Sequence, residues 1–138
     1  MSAMPDDPRT LLKEGAAALG LSLKPPLLQQ LLLYLAELKR WNARVNLTGL
    51  RTDRDIVSKH FLDSLALLPF LGEAPSLADL GSGAGFPGLV LKILRPEMAL
   101  TLVESRGKKA AFLEFLVALW QLPGVEVVQA RLTPRLAR

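Results

Sequence analysis

The chain has 138 residues, 50% of them hydrophobic and 22% charged, with a formal charge of +4 and a pI near 9.8. That balance is one of a globular domain with a true core, and the basic excess favours polyanionic partners without naming one. With no cysteine and His60 as its one histidine, the chain has no disulfide or thiolate metal site and no metal mechanism is expected; no apolar run approaches the roughly 18 residues of a membrane span, and Met1 to Thr10 lacks the basic-then-apolar order of a secretory leader, so a cytoplasmic protein is expected.

The pattern from Arg9 to Leu19 predicts a short helix stopped by Gly20. Pro25 and Pro26 then open a long amphipathic helix, because Leu27, Leu28, Leu31, Leu35, Leu38 and Trp41 recur mostly at spacings of three and four. Thr52, with Asp55 three residues on, has the form of a capping box and starts a third helix, Asp53 to about Leu68, that stops near Pro69. Beyond Gly72 short apolar runs alternate with helical ones. Leu77 to Leu80, Leu100 to Val103 and Val125 to Val128 are predicted strands, with helices at Pro87 to Leu94 and Lys108 to Leu119 between them. The β-α-β-α-β order predicts an α/β fold with a parallel sheet and right-handed crossovers. Residues 1–72 are therefore expected to form a helical region and residues 73–138 an α/β domain, the boundary falling between Gly72 and Ser76.

The most informative run is Leu77-Ala78-Asp79-Leu80-Gly81-Ser82-Gly83-Ala84-Gly85-Phe86-Pro87-Gly88. Gly81, Gly83 and Gly85 follow the first strand directly, where a tight turn and a ligand's close approach to the backbone both call for the absence of a side chain. Glu104 ends the second strand 23 residues after Gly81, close to the about 20 expected of a carboxylate that binds ribose hydroxyls. Together these residues describe a nucleoside-cofactor site.

Gly83, Gly85 and Gly88 also match the dinucleotide pattern G-x-G-x-x-G, so a nicotinamide-dependent oxidoreductase is a rival reading. A pyrophosphate, however, needs free backbone N–H groups at the helix start and no anion beside it. Pro87 has no N–H, Phe86 is bulky, and Asp79 puts a carboxylate at the strand end. A cofactor without phosphate and with positive charge, S-adenosylmethionine, suits an acidic turn better.

The run Asp79 to Gly88, preceded by Trp41-Asn42, Asn46-Leu47-Thr48 and His60-Phe61-Leu62-Asp63-Ser64-Leu65, resembles the glucose-inhibited division protein B family, also called the ribosomal RNA small-subunit methyltransferase G family. The resemblance extends from about Trp41 to Arg131. It implies a Rossmann-like class I methyltransferase sheet and methylation of N7 of one guanine in small-subunit (16S) ribosomal RNA, with S-adenosylmethionine as donor. It also implies cofactor contacts at Gly81 and Phe86, a ribose contact at Glu104, and passage of Leu132 and Thr133 beside the adenine. Thr133 stands where the family usually has glutamate, so only a backbone role carries over there. With Asp79, Ser82, Gly83 and Gly85 from the turn itself, these make the candidate cofactor site.

The resemblance also implies a longer chain, with further strands on the far side of Leu77 to Leu80. This chain is accordingly expected to be an incomplete, apparently truncated N-terminal part that does not turn over alone, its first strand left as an edge liable to associate. A catalytically inert remnant or RNA-binding module is the alternative of a different class.

Guanine N7 presents a lone pair at neutral pH, so no general base is needed and the catalytic residues stay unassigned. His60 and Asp63, three apart on a predicted helix, are expected to bond to each other or cap a neighbour rather than act in catalysis. Asn42 and Asn46 can either cap the helix end or line the pocket, and Trp41 is expected in the core. Arg106, Lys108 and Lys109 open the helix after Glu104, a place unfavourable to cations beside the helix dipole, so together with Arg44 they are the candidate RNA contacts.

Overall fold

The structure, a computed structural model, describes residues 7–131. Leu132 and Thr133 lie outside the described residues. Helix α1 (Pro8–Ala18) starts where the Asp7 carboxylate accepts the Thr10 N–H at 3.1 Å, and the chain leaves it at Gly20 with φ +82°. Helix α2 (Pro25–Asn42) has prolines in its first turn, where a missing N–H costs nothing. Its buried face is Leu28, Leu31, Tyr34, Leu35 and Leu38; of the expected stripe, Leu27 and Trp41 are only partly buried, and one tyrosine is set into it.

The third helix expected from the sequence runs without a break from Asp53 to Leu65, a little shorter than expected, in three contiguous segments of different form. These are α3 (Asp53–Ile56), a π turn (Val57–Leu62) and α4 (Asp63–Leu65), followed by a 3-10 turn (Leu68–Leu71). The Thr52 hydroxyl caps α3 by accepting the Asp55 N–H at 3.1 Å. Within the π turn the backbone is widened, and the Ser64 hydroxyl donates to the His60 carbonyl at 2.5 Å. Side-chain competition of this kind for a helix carbonyl bends helices. Pro69, without an N–H, stands in the tighter final turn.

Three parallel strands follow, β1 (Ser76–Leu80), β2 (Ala99–Glu104) and β3 (Val125–Gln129), in the order β1-β2-β3. Their register pairs Leu80 with Val103 and Val103 with Val128. Helix α5 (Gly88–Leu94) packs on β1 and β2, and α6 (Gly107–Trp120) on β2 and β3. The mixed α/β class and the parallel sheet are those expected. One core runs from Leu12 and Leu31 through Phe61 and Leu89 to Leu102, Phe112 and Leu116, so the helical region is packed directly onto the sheet layer. Among the described residues β1 pairs on one side only, and beside it Phe70 is 84% and Leu80 54% exposed.

Candidate functional site

The loop from Leu80 to Gly88 turns the chain from β1 into α5 at the carboxyl end of the sheet, where open α/β sheets bind their ligands. Gly81, Gly83 and Gly85 all have positive φ, at +75°, +57° and +98°. They differ in what surrounds them. A Cβ at Gly81 or Gly83 would meet nothing within 4 Å, whereas one at Gly85 would stand 2.4 Å from the Tyr34 hydroxyl and 2.7 Å from Leu89 Cδ1. Two of the glycines therefore face open space and the third is packed.

Backbone and side-chain bonds hold this shape. The Gly81 and Ser82 N–H groups donate to the Val103 carbonyl at 2.8 and 3.1 Å, and the Ser82 hydroxyl donates to the Asp79 carbonyl at 2.8 Å. Tyr34, fully buried in α2, donates its hydroxyl to the Ala84 carbonyl at 2.6 Å. Glu104, 6% exposed, accepts the Gly83 N–H on Oε1 at 2.9 Å and the Arg106 N–H on Oε2 at 2.8 Å. The residue read from the sequence as a ribose acid is thus placed as a clamp between the glycine loop and the start of α6. Asp79 Oδ2 accepts the Gly88 N–H at 2.8 Å, and the Leu89 N–H donates to the Gly85 carbonyl at 2.8 Å. The first amides of α5 are therefore already used.

Phe86 stacks with Tyr34 (5.0 Å, 11°) and with His60 (4.6 Å, 4°). With His60 and Tyr34 both stacked in parallel on it, any contact it makes with a ligand falls to its edge or backbone. His60 is bonded to Thr48 Oγ1 at 2.8 Å, not to Asp63 as considered from the sequence. Burial lowers the imidazole below its ordinary range and the Asp63 charge opposes that, so Asp63 acts on His60 only through space. Asn42 Oδ1 accepts the Leu47 and Thr48 N–H groups at 2.8 and 3.0 Å, which makes it a loop brace; Asn46 is exposed. Trp41, expected in the core, is only partly buried and packs at its edge against Phe112 and Phe115.

Arg106 precedes α6 and is exposed with Lys108, while Lys109 is half-buried. Arg44 is exposed beyond the end of α2 and, with Arg40, Trp41 and Val45, lines a cleft of about 400 Å³. Among the described residues no group of three or more carboxylate or histidine side chains is placed to hold a metal, and no helix is long and apolar enough to cross a membrane.

Tyr34 was not among the residues singled out from sequence. The signal was there: it is the chain's one tyrosine, three residues after Leu31 and four before Leu38 in the buried stripe, and a buried tyrosine hydroxyl needs a partner.

A family model described as rRNA small subunit methyltransferase G (GidB) matches residues 27–136, which takes in all but the first two residues of α2, the glycine loop, Glu104 and α6. The chain belongs to this family. It is 56% identical over 117 residues to a protein named ribosomal RNA small subunit methyltransferase G from Roseiflexus castenholzii, a match covering 84% of this chain and 50% of that one. Proteins of the same name from Desulfotalea psychrophila and Pseudomonas aeruginosa strain LESB58 are 47% and 43% identical, over 88% and 95% of this chain and 56% and 61% of theirs. The chain thus spans about half the length of the curated GidB relatives it matches.

In this GidB chain Asp79 carries an electrostatic cost. Burial raises its pKa above the ordinary carboxylate range, and the bond from Gly88 only partly offsets that. A raised folded-state pKa means the folded chain binds the proton more tightly. The stabilisation is therefore complete below about pH 4, the unfolded value, and is lost as the pH rises through the raised one. At neutral pH the charge works against the fold. Asp79→Asn keeps a carbonyl to accept from Gly88, so its urea midpoint is expected to match or exceed that of the unmodified chain at pH 7, and this advantage to disappear near pH 4. A midpoint lower at pH 7 than at pH 4, relative to the unmodified chain, would show that the carboxylate stabilises the loop.

Proposed function

We propose that the glycine loop binds S-adenosylmethionine and that the chain serves transfer of its methyl group to N7 of a guanine in small-subunit ribosomal RNA, in the cytoplasm. The observation that carries the reading is the open backbone at Gly81 and Gly83, joined through the Gly83 amide to Glu104 at the end of β2. The names of the family relatives support the reaction class and the RNA substrate. The occupied amides of Gly88 and Leu89 favour a donor without pyrophosphate over a dinucleotide.

The residues present fit such a donor. Its chemistry, when bound, is a methyl group activated on a positively charged sulfur. Asp79 and Glu104 supply negative charge to a cationic ligand, and the carboxylate of Glu104, with four lone-pair sites and two backbone bonds, retains acceptor capacity for ribose hydroxyls. Gly81, Ser82, Gly83, Gly85 and the Phe86 backbone shape the floor, with Leu132 and Thr133 as further contacts implied by the resemblance. Arg106, Lys108 and Lys109 are assigned to RNA phosphates near the loop and Arg44 to a second phosphate position; such contacts fix register without reading bases. The chain contributes orientation, which supplies several kcal/mol of barrier lowering, up to roughly 7–11 in ideal cases.

Calorimetric titration with S-adenosylmethionine and, separately, NADH tests the reading. The expected result is binding of the first alone; binding of NADH alone overturns it. Tritium transfer to small ribosomal subunits lacking the modification is then measured for this chain and for a version joined to the remaining half of a relative. Donor binding with no transfer from either would favour the inert RNA-binding alternative.

A further inference from the structure

Phe86 is the bulky residue of the glycine loop, and it is gripped from the helical region. Tyr34 and His60 lie parallel to it and Phe61 stands edge-on at 5.0 Å. The two parallel rings are not equivalent. Tyr34 is fully buried and belongs to the core, where it also holds the Ala84 carbonyl. His60 is only partly buried, so filling the core does not account for its ring.

His60 is held in place with some care. It stands on the π turn, a backbone form that is rare and is found disproportionately at functional positions. Its Nε2 is bonded to Thr48 Oγ1, and Thr48 is braced in turn by the Asn42 carbonyl oxygen. A line of contacts therefore runs from the end of α2 through Asn42, Thr48 and His60 to Phe86, and so into the loop whose Gly83 faces open space. Stacking of one flat ring on another fixes orientation at the contact, and Phe86 is one residue from Gly85 and two from Gly88.

We propose that His60 is a positioning residue: stacked on Phe86, it holds the glycine loop in the shape that receives the methyl donor. The donor part of this statement rests on the cofactor reading above; the loop part does not. Two variants separate the ring from its hydrogen bond. His60→Phe keeps a flat ring on Phe86, and it leaves Thr48 Oγ1 with the Leu50 N–H it already accepts at 3.2 Å. His60→Gln keeps a polar partner for Thr48 and loses the ring.

The ligand-free readout is amide hydrogen exchange at Gly83, Gly85 and Gly88, compared with amides of β2. Expected for His60→Gln is exchange about tenfold faster in the loop alone, with a matching tenfold loss of S-adenosylmethionine affinity, and for His60→Phe the unmodified values of both. Unchanged loop exchange in His60→Gln overturns the proposal, as does a parallel rise in β2, which would mean general loss of stability. Failure of His60→Phe to restore the loop overturns it too. If the unmodified chain binds no donor, the cofactor reading fails while loop exchange still decides the role of His60.

Discussion

Gly85→Ala is expected to destabilise the chain by about 3 kcal/mol or more, and Gly83→Ala by about 1 kcal/mol, although the two glycines are two residues apart in the same loop. At Gly85 two costs coincide. The backbone is at φ +98°, and the new methyl would stand 2.4 Å from the Tyr34 hydroxyl, 2.7 Å from Leu89 Cδ1 and 3.1 Å from Leu113 Cδ2. Tyr34 cannot swing aside cheaply, because its hydroxyl is bonded to Ala84 and its ring is stacked on Phe86. Overpacking of a filled core costs about 1–3 kcal/mol and backbone strain about the same, against a net domain stability of about 5–15 kcal/mol. At Gly83 the backbone is in the left-handed helical region at φ +57° with open space above it, so only the conformational cost applies. Under the cofactor reading, Gly83→Ala nevertheless weakens S-adenosylmethionine at least tenfold, since its methyl enters the ligand's space. Urea denaturation and calorimetric titration of both variants check this. Equal stability losses would contradict the packing argument, and full donor affinity in a folded Gly83→Ala chain would remove the ligand from above that residue.

That contrast also measures how far the sequence could be read. The three alternating glycines were legible as a turn because positive φ has a residue signature, and the leucine stripe of α2 and the short apolar strands were legible because helices and strands have different periods. What separates Gly83 from Gly85 is not local. It depends on Tyr34, some fifty residues earlier, and on Leu113 in α6. The same holds for His60, whose partner Thr48 lies twelve residues away across a loop, while the sequence-near candidate Asp63 is left to act through space. The π turn escaped because its sequence, Val57 to Leu62, has nothing that distinguishes it from an ordinary helix; the bond from Ser64 to the His60 carbonyl accompanies it there. Glu104 was legible as the residue that ends the second strand, but neither that position nor its spacing from the glycines carries information on which backbone amides a carboxylate will meet.

Those amides make Glu104→Gln the second large effect. Each carboxylate oxygen accepts one backbone N–H, from Gly83 at 2.9 Å and from Arg106 at 2.8 Å, in a position only 6% exposed. A glutamine has one oxygen and one NH2 group, so in either orientation one of the two backbone donors faces another donor. An unsatisfied buried donor costs about 1–3 kcal/mol, and bonds to an ionised acceptor are roughly twice as strong as neutral ones. The expected loss of stability is therefore about 2–3 kcal/mol, read from urea denaturation, with faster exchange at the Gly83 or Arg106 amide marking which bond was given up. Ligand binding then separates two roles for one residue. If Glu104 only clamps the loop, the variant weakens S-adenosylmethionine and an analogue lacking the ribose hydroxyls by the same factor. If it also accepts from the ribose, S-adenosylmethionine loses the more, and that is the expected outcome, because a carboxylate with two backbone bonds has acceptor sites left. Equal losses would leave Glu104 as the brace between the glycine loop and α6 and would assign the ribose to another residue.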